Sequence, residues 1–400
     1  MGRFEFESYR MNGEGSERIF PYLRGQERYR TAGFKELGYG QGSINDSYRR
    51  TTSWLNRFRH QTEGGTPSRS LHHSSEQEGQ ALVSHLDELA GQILAKHQFE
   101  GHYPPAQQRA AYQNQSFQGQ SEQQVVAAVQ ACAPDPGDEA EMLSNPVPYE
   151  VRSESVLISM DPVGVKKQKE QRQDSVPQGK REMVYQTVAH LQHGEQVYTL
   201  NGSCIGVVLK FILAFLLHND LLKYNLVFFV DGQRSLHNAI LALLAWFGPL
   251  QIVLDWVHLQ DKCHTLLSSA LKGRDRRDQL LEQLLPLLWL GLVERAIALL
   301  QSLDPALVKD QSPLDKLIGY LQRQQPYIPC YAVRKHLGLR NSSNLGEKAN
   351  DLLVSSRQKH NGMSWSPSGS VALAALTALV RNNEHQLWFR HQALRFSFSA

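Results

Sequence analysis

Hydrophobic and polar positions change their period several times along the chain. Leu82, Leu86, Leu89 and Ile93 recur at helical spacing behind Ser75-Glu76-Gln77-Glu78, a capping-box pattern. A helix is therefore predicted from Ser75 onward, after a Ser/Gly/His linker from Glu63 to Ser74. Upstream, Asp46 to Arg59 reads as a helix following a polar turn from Gly40. Residues 104–150 lose the period. Nine glutamines fall between Gln107 and Gln130, followed by Pro134, Pro136, Pro146 and Pro148, as in a polar, partly helical connector.

From about 151 the pattern becomes strand and helix in alternation. Ser155 to Met160 predicts a short strand ending at Asp161. Arg181 to Leu191 and Gln196 to Leu200 predict the next two. An apolar helix follows over Ser203 to His218. Leu226 to Val230 is a wholly apolar strand ending at Asp231. After a helix over Leu236 to Phe247, Leu250 to Leu254 is another buried strand, ending at Asp255. Residues 262–325 read as almost wholly helical. Ser366-Pro367 opens a last helix to about Arg381, as N-cap and first-turn proline. Strands alternating with helices predict an α/β fold with a sheet covered on both faces.

Composition narrows this little. The 400 residues, 41% hydrophobic and 20% charged, suit two or three globular units, and a net charge of +3 does not itself demand a nucleic acid. The basic residues are unevenly placed, with eleven Lys/Arg against seven Asp/Glu in residues 1–60. Arg49, Arg50, Arg57 and Arg59 surround Trp54, Leu55 and Phe58 on the predicted Asp46–Arg59 helix. Such a face suits DNA phosphates as in helix-turn-helix domains, or is simply solvated. The cysteines Cys132, Cys204, Cys263 and Cys330 form no CxxC pair, which points to a reducing cytosol. The apolar run from Cys204 to Leu217 carries Lys210 and is too short for a membrane span of about 20 residues.

The chemistry lies in the aspartates after the strands. Ligands in open α/β sheets gather at strand carboxyl ends. Carboxylates converging there among apolar groups call for hard divalent cations. Any one of them is as readily a turn residue or helix cap, and Asp231-Gly232 has that form. Asp255, His258, Cys263 and His264 also admit a zinc site, without regular finger spacing.

Four pieces, in order, give the chain a specific resemblance. They are Ile158-Ser159-Met160-Asp161 before Val163-Gly164-Val165; Phe228-Phe229-Val230-Asp231-Gly232; Leu254-Asp255-Trp256-Val257-His258; and Asn344-Leu345-Gly346-Glu347 before Asn361-Gly362-Met363-Ser364-Trp365-Ser366. Over residues 151–381 the chain resembles DDE transposases of bacterial insertion sequences, in the mutator-like branch. The resemblance implies a ribonuclease H-like mixed sheet flanked by helices, an all-helical insertion and a mainly helical N-terminal region. It divides the chain into an N-terminal, DNA-binding region (1–103), a Gln/Pro-rich linker (104–150), a core (151–261 and 336–400) and an insertion (262–335). It makes Asp161, Asp231 and Glu347 the catalytic residues and the ligands of two Mg2+ ions, with Mn2+ as substitute. Asp255 and His258 match a C/D-x-x-H motif with a positioning or DNA-contacting role. Pro162, directly after the first acid, departs from the pattern.

Basic residues follow each acidic piece: Lys166, Lys167, Lys169, Arg172, Lys180 and Arg181, then Lys348, Arg357 and Lys359. A basic rim lets phosphates approach carboxylates. Of these, Lys166, Lys167, Lys348 and Arg357 are the expected DNA contacts. The partners implied are double-stranded DNA, as terminal repeats and target, and further copies of the chain. The setting is the bacterial cytoplasm and nucleoid, with no membrane. The N-terminal region is short and opens abruptly, as in a truncated copy. Two other functions compete: an inactive, transposase-derived DNA-binding protein, and a structure-specific nuclease on the same core.

Overall fold

The computed structural model describes residues 32–40, 42, 47–58, 60, 65–169, 182–359 and 363–398. Helix α1 (Tyr48–Phe58) buries Thr51, Thr52 and Leu55 and turns Arg49, Trp54, Arg57 and Phe58 outward. The expected end residues Asp46 and Arg59 lie outside the described residues. Helix α2 (Ser68–Lys96) starts well before the expected Ser75. The Ser75 hydroxyl donates to the Leu71 carbonyl at 2.8 Å, so it is an interior residue and not a cap. The stripe simply extends back, through buried Gly79 and Ser75 to Leu71. These small residues escape a search for large apolar ones, yet they let another helix come close. A Cβ at Gly79 would lie 2.5 Å from the Ala372 carbonyl oxygen.

The Gln/Pro-rich segment is more ordered than its composition suggests. It forms α3 (Ala106–Gln113), α4 (Glu122–Cys132) and α5 (Pro136–Leu143), with Ser121 and Gln124 making a capping box on α4. Ala128, Val129, Met142 and Tyr149 join a buried cluster with Leu290, Leu292, Cys330 and Val333. The glutamines decorate helices, two of which send a few apolar residues into this cluster.

The sheet is mixed, five-stranded, and flanked by helices. Its strands are β1 (Ser155–Lys166), β2 (Met183–His193), β3 (Gln196–Gly202), β4 (Asn225–Val230) and β5 (Leu250–Leu254). Their order is β3-β2-β1-β4-β5, with β1, β2 and β3 antiparallel in turn and β1, β4 and β5 parallel. Helix α6 (Ile205–His218) joins β3 to β4, and α7 (Arg234–Leu244) joins β4 to β5. Alternation sorts β1 and β4 into two faces. Val156, Ile158, Met160, Phe228 and Val230 meet α2, α6 and α7 in the largest core. Leu157, Val227, Phe229 and, on β5, Val253 face the other way.

One expectation fails. β1 does not end at Asp161 but continues to Lys166, because Pro162 to Lys166 still pair with Thr187 to Met183 of β2. The pairing with β4 stops at Ser159. From Met160 until Trp365 joins at Lys166, β1 is paired with β2 alone, the edge-like setting in which a proline is tolerated. Pro162 therefore bends no turn at Asp161.

After β5 comes a helical layer: α8 (Trp256–Ala270), α9 (Arg274–Trp289), α10 (Val293–Gln301), α11 (Gln311–Gln324) and α12 (Tyr331–His336). Leu259, Leu267, Leu284, Leu317 and Tyr331 anchor its own core. The expected boundary at 261/262 falls inside α8, which is continuous. Helix α13 (Asn344–Asn350) then returns to the sheet and runs into a wide π-type turn over Asp351–Ser355. Ser366 caps α14 (Pro367–Arg381) as expected, its hydroxyl accepting from the Gly369 amide at 3.0 Å. No described helix is long and apolar enough to cross a membrane.

Candidate active site

The three aspartates form a row. The β1–β4 register pairs Ser155 with Asn225 and Ser159 with Phe229. Continued by two residues, it sets Asp161 beside Asp231 on one face of the sheet. The β4–β5 register pairs Val230 with Leu254, so its next step sets Asp231 beside Asp255. Neighbouring strands lie about 4.8 Å apart. Three adjacent strands thus bring three acids to one edge of the face that α13 covers.

The approach of α13 follows from a glycine. A Cβ at Gly346 would stand 2.6 Å from the Ser159 Cβ, so the helix rests on the β1 backbone. Four helical residues advance about 6 Å and two strand residues about 6.6 Å. Gly346 over Ser159 therefore places Asn350 over Asp161. The Asn350 Nδ2 indeed donates to Asp161 Oδ2. Further on, Ala349 and Leu353 pack with Val163 and Val165. Glu347 is held at the same level, its Oε1 3.0 Å from His258 Nε2.

Asp255 has another task. It is fully buried and caps α8, accepting from the amides of Val257 at 2.6 Å and His258 at 3.1 Å. Its second oxygen takes the amide of Ser343 and, at 2.7 Å, the Ser343 hydroxyl. Four donors thus neutralise the carboxylate and tie the start of α8 to the start of α13. That tie sets His258 against Glu347. Asp255, His258 and Glu347 have ligand atoms within 4.8 Å of one another. Since both Asp255 oxygens are engaged, we regard it as a clamp and not as an open cation ligand.

Electrostatics set Asp161 apart from its neighbours. The Asp161 carboxyl is pushed up to about 6, first by burial and next by the negative charge of Asp231. Glu347 pushes the same way, while the Asn350 hydrogen bond and His258 oppose it. A partly buried carboxylate whose pKa is raised by neighbouring acids fits a hard divalent cation, which removes the repulsion. Asp231 also closes an Asx turn, Oδ1 accepting from the Gln233 amide at 2.8 Å, with Gly232 at φ 83°. Turn residue and site residue are compatible roles here.

The helical layer abuts this turn. Gln324 Nε2 donates to the Gly232 carbonyl at 3.3 Å, and a Cβ on Gly232 would collide with the Tyr320 hydroxyl. Neither Asn350, which binds Asp161, nor Tyr320 and Gln324 stood out in the sequence. An asparagine three residues after a glutamate has the right spacing for one helix face, but that signal is too common to select it.

The expected basic rim is only partly there. Lys166 and Lys348 are exposed. Lys167 pairs with Glu182 at 2.7 Å. Arg357 is a correction: it is 6% exposed, donates to the Gly42 carbonyl at 3.2 Å, and lies over the rings of Tyr48 and Trp365. Its guanidinium braces the protein interior. Arg172, Lys180 and Arg181 lie outside the described residues. The zinc alternative is not assembled either. Cys263 is buried in the helical core with its thiol pushed up to about 12 by burial, and neither it nor exposed His264 joins the group around His258.

No protein-family model matches the chain, and no curated protein matches it. Among solved structures, the Drosophila P element transposase strand transfer complex is similar, with 8% identity, 87% of this chain and 86% of that chain covered, and a TM-score of 0.21.

Proposed function

We propose that the chain is a DDE-type DNA transposase with a ribonuclease H-like core, cutting insertion-sequence ends and joining them to target DNA in the bacterial nucleoid. The observation that supports this reading is electrostatic: the charges of Asp231 and of Glu347, the latter from a later helix, both raise the pKa of half-buried Asp161. The strand order, with a long central β1, supports the core assignment. Under this reading residues 151–261 and 336–400 form the core, 262–335 the insertion, 1–103 the DNA-binding region and 104–150 the connection.

Asp161, Asp231 and Glu347 would hold two Mg2+ ions, with Mn2+ as substitute, which activate the attacking oxygen and stabilise the leaving one. The chain supplies the rest. Asp255 fixes the helix starts that carry His258 and Glu347. His258 holds the Glu347 carboxylate. Lys166 and Lys348 offer positive charge to the phosphates. In the cleavage step a water oxygen bonds to phosphorus as the bond to the 3′ oxygen breaks, freeing a 3′-hydroxyl. In the joining step that hydroxyl attacks a target phosphate, and the target's own 3′ oxygen leaves. Double-stranded DNA is the substrate, and pairing two ends calls for more than one copy of the chain.

The test is nicking of supercoiled plasmid in Mn2+. We expect activity in the parent, its loss below detection in Asp231→Ala, and unchanged DNA affinity in both. Equal nicking by parent and variant removes Asp231 from the site. DNA binding without nicking by the parent favours the inactive, DNA-binding relative. Nicking without any joining of ends favours a structure-specific nuclease.

A further inference from the structure

We infer that Asn350 is the positioning residue of the acid site, orienting Asp161 for cation binding from the helix that also carries Glu347. The inference rests on the reading of Asp161 as a metal ligand.

Asn350 is 5% exposed, and its Nδ2 donates to Asp161 Oδ2. Its Oδ1 has no partner. A buried amide that satisfies one edge and leaves the other empty is unfavourable as mere packing. The arrangement has a chemical logic. A carboxylate only accepts, so it selects the donor edge of the amide and strands the carbonyl edge. The bond occupies one Asp161 oxygen and leaves the other for a cation. It also fixes the rotation of a carboxylate that Asp231 and Glu347 would otherwise repel.

The placement is built into the backbone. Gly346 lets α13 rest on Ser159, and the turn from Gly346 to Asn350 matches the step from Ser159 to Asp161. Glu347 and Asn350 are three residues apart and share a helix face. One rigid element therefore sets the distance between Glu347 and the restrained Asp161. Hydrogen-bond partners of metal ligands commonly influence affinity by 10–100-fold.

The test is Mn2+ binding by calorimetry to the full chain without DNA, with melting temperature measured in the absence of metal. Asn350→Leu keeps the size, removes the donor and also removes the stranded carbonyl. We expect its Mn2+ affinity to fall by about tenfold, its melting temperature to change little, and plasmid nicking to fall in parallel. Asn350→Gln retains an amide donor and should recover part of the affinity. If Asn350→Leu is too poorly folded to assay, Asn350→Gln alone decides, by showing weaker binding that excess Mn2+ restores. Parent-like Mn2+ affinity in a folded variant, or a lower melting temperature with parent-like affinity, overturns the inference and leaves the acid site standing. Failure of the parent to bind Mn2+ overturns the acid site, and this inference with it.

Discussion

At the scale of single residues, the site trades stability for charge. Asp161 has its pKa raised from 3.8 to about 6, so the folded chain holds this proton more tightly than the unfolded one. Stability from this group is present below about pH 4 and is lost as pH rises to about 6. Above that, the metal-free protein bears on the order of 3 kcal/mol of repulsion and desolvation. Asp161→Asn should accordingly melt higher than the parent at pH 7 and equally at pH 4, while nicking nothing. Parent and variant melting together at both pH values would remove the charge conflict. Mn2+ should raise the parent's melting temperature at pH 7 and much less at pH 5, where the proton competes. Gly346 tests the contact itself. Gly346→Ala drives a methyl into Ser159 and should cost about 1–3 kcal/mol, with at least about a tenfold loss of nicking. Chemical denaturation and the plasmid assay read the two effects separately.

At the scale of elements, most strands were legible because their apolar runs are unbroken. The run Leu226 to Val230 and the buried strand Leu250 to Leu254 needed no tertiary information. Asp161 was misplaced at a strand end because Pro162 looks like punctuation, and only pairing with β2 carries the strand past it. The early start of α2 was hidden because Ser75 and Gly79, though buried, are not large and apolar; Gly79 is covered by the close approach of α14. The hydrogen bond from Asn350 to Asp161 was not legible, since a polar residue on a polar helix face carries no mark of its partner. Helix α1 offers its own experiment. Arg49, Trp54 and Arg57 point outward beside the ring pair of Trp54 and Phe58. If this face meets DNA, changing Arg49 and Arg57 to alanine should weaken binding equally across sequences. It should also reduce the salt dependence by about two units of slope, as befits two lost phosphate contacts. An unchanged slope assigns α1 to another surface.

At the scale of the whole molecule, the polar-looking connector and the helical layer are locked together. Arg334 and Glu150, both buried, meet through two bonds of 2.7 and 2.6 Å, and Arg334 also donates to the Arg340 carbonyl at 2.9 Å. Removing one partner strands a buried charge. Arg334→Ala should therefore cost about 3–5 kcal/mol, seen as a large fall in denaturation midpoint. A loss under about 1 kcal/mol would show the pair to be dispensable. Composition could not reveal this lock, because Glu150 and Arg334 are far apart in sequence and each looks like an ordinary surface charge.

The clamp at Asp255 has a consequence for synthesis. Its donors come from the adjacent helix and from Ser343, 88 residues later. At roughly 5–20 residues per second, the ribosome needs several seconds to about 20 seconds to cover that gap. All five strands emerge first, with two acids in place and no Glu347. A nascent chain in this interval holds the frame of the site without its third carboxylate. Asp255 stays buried beside two unmet acceptor positions until Ser343 emerges to fill them.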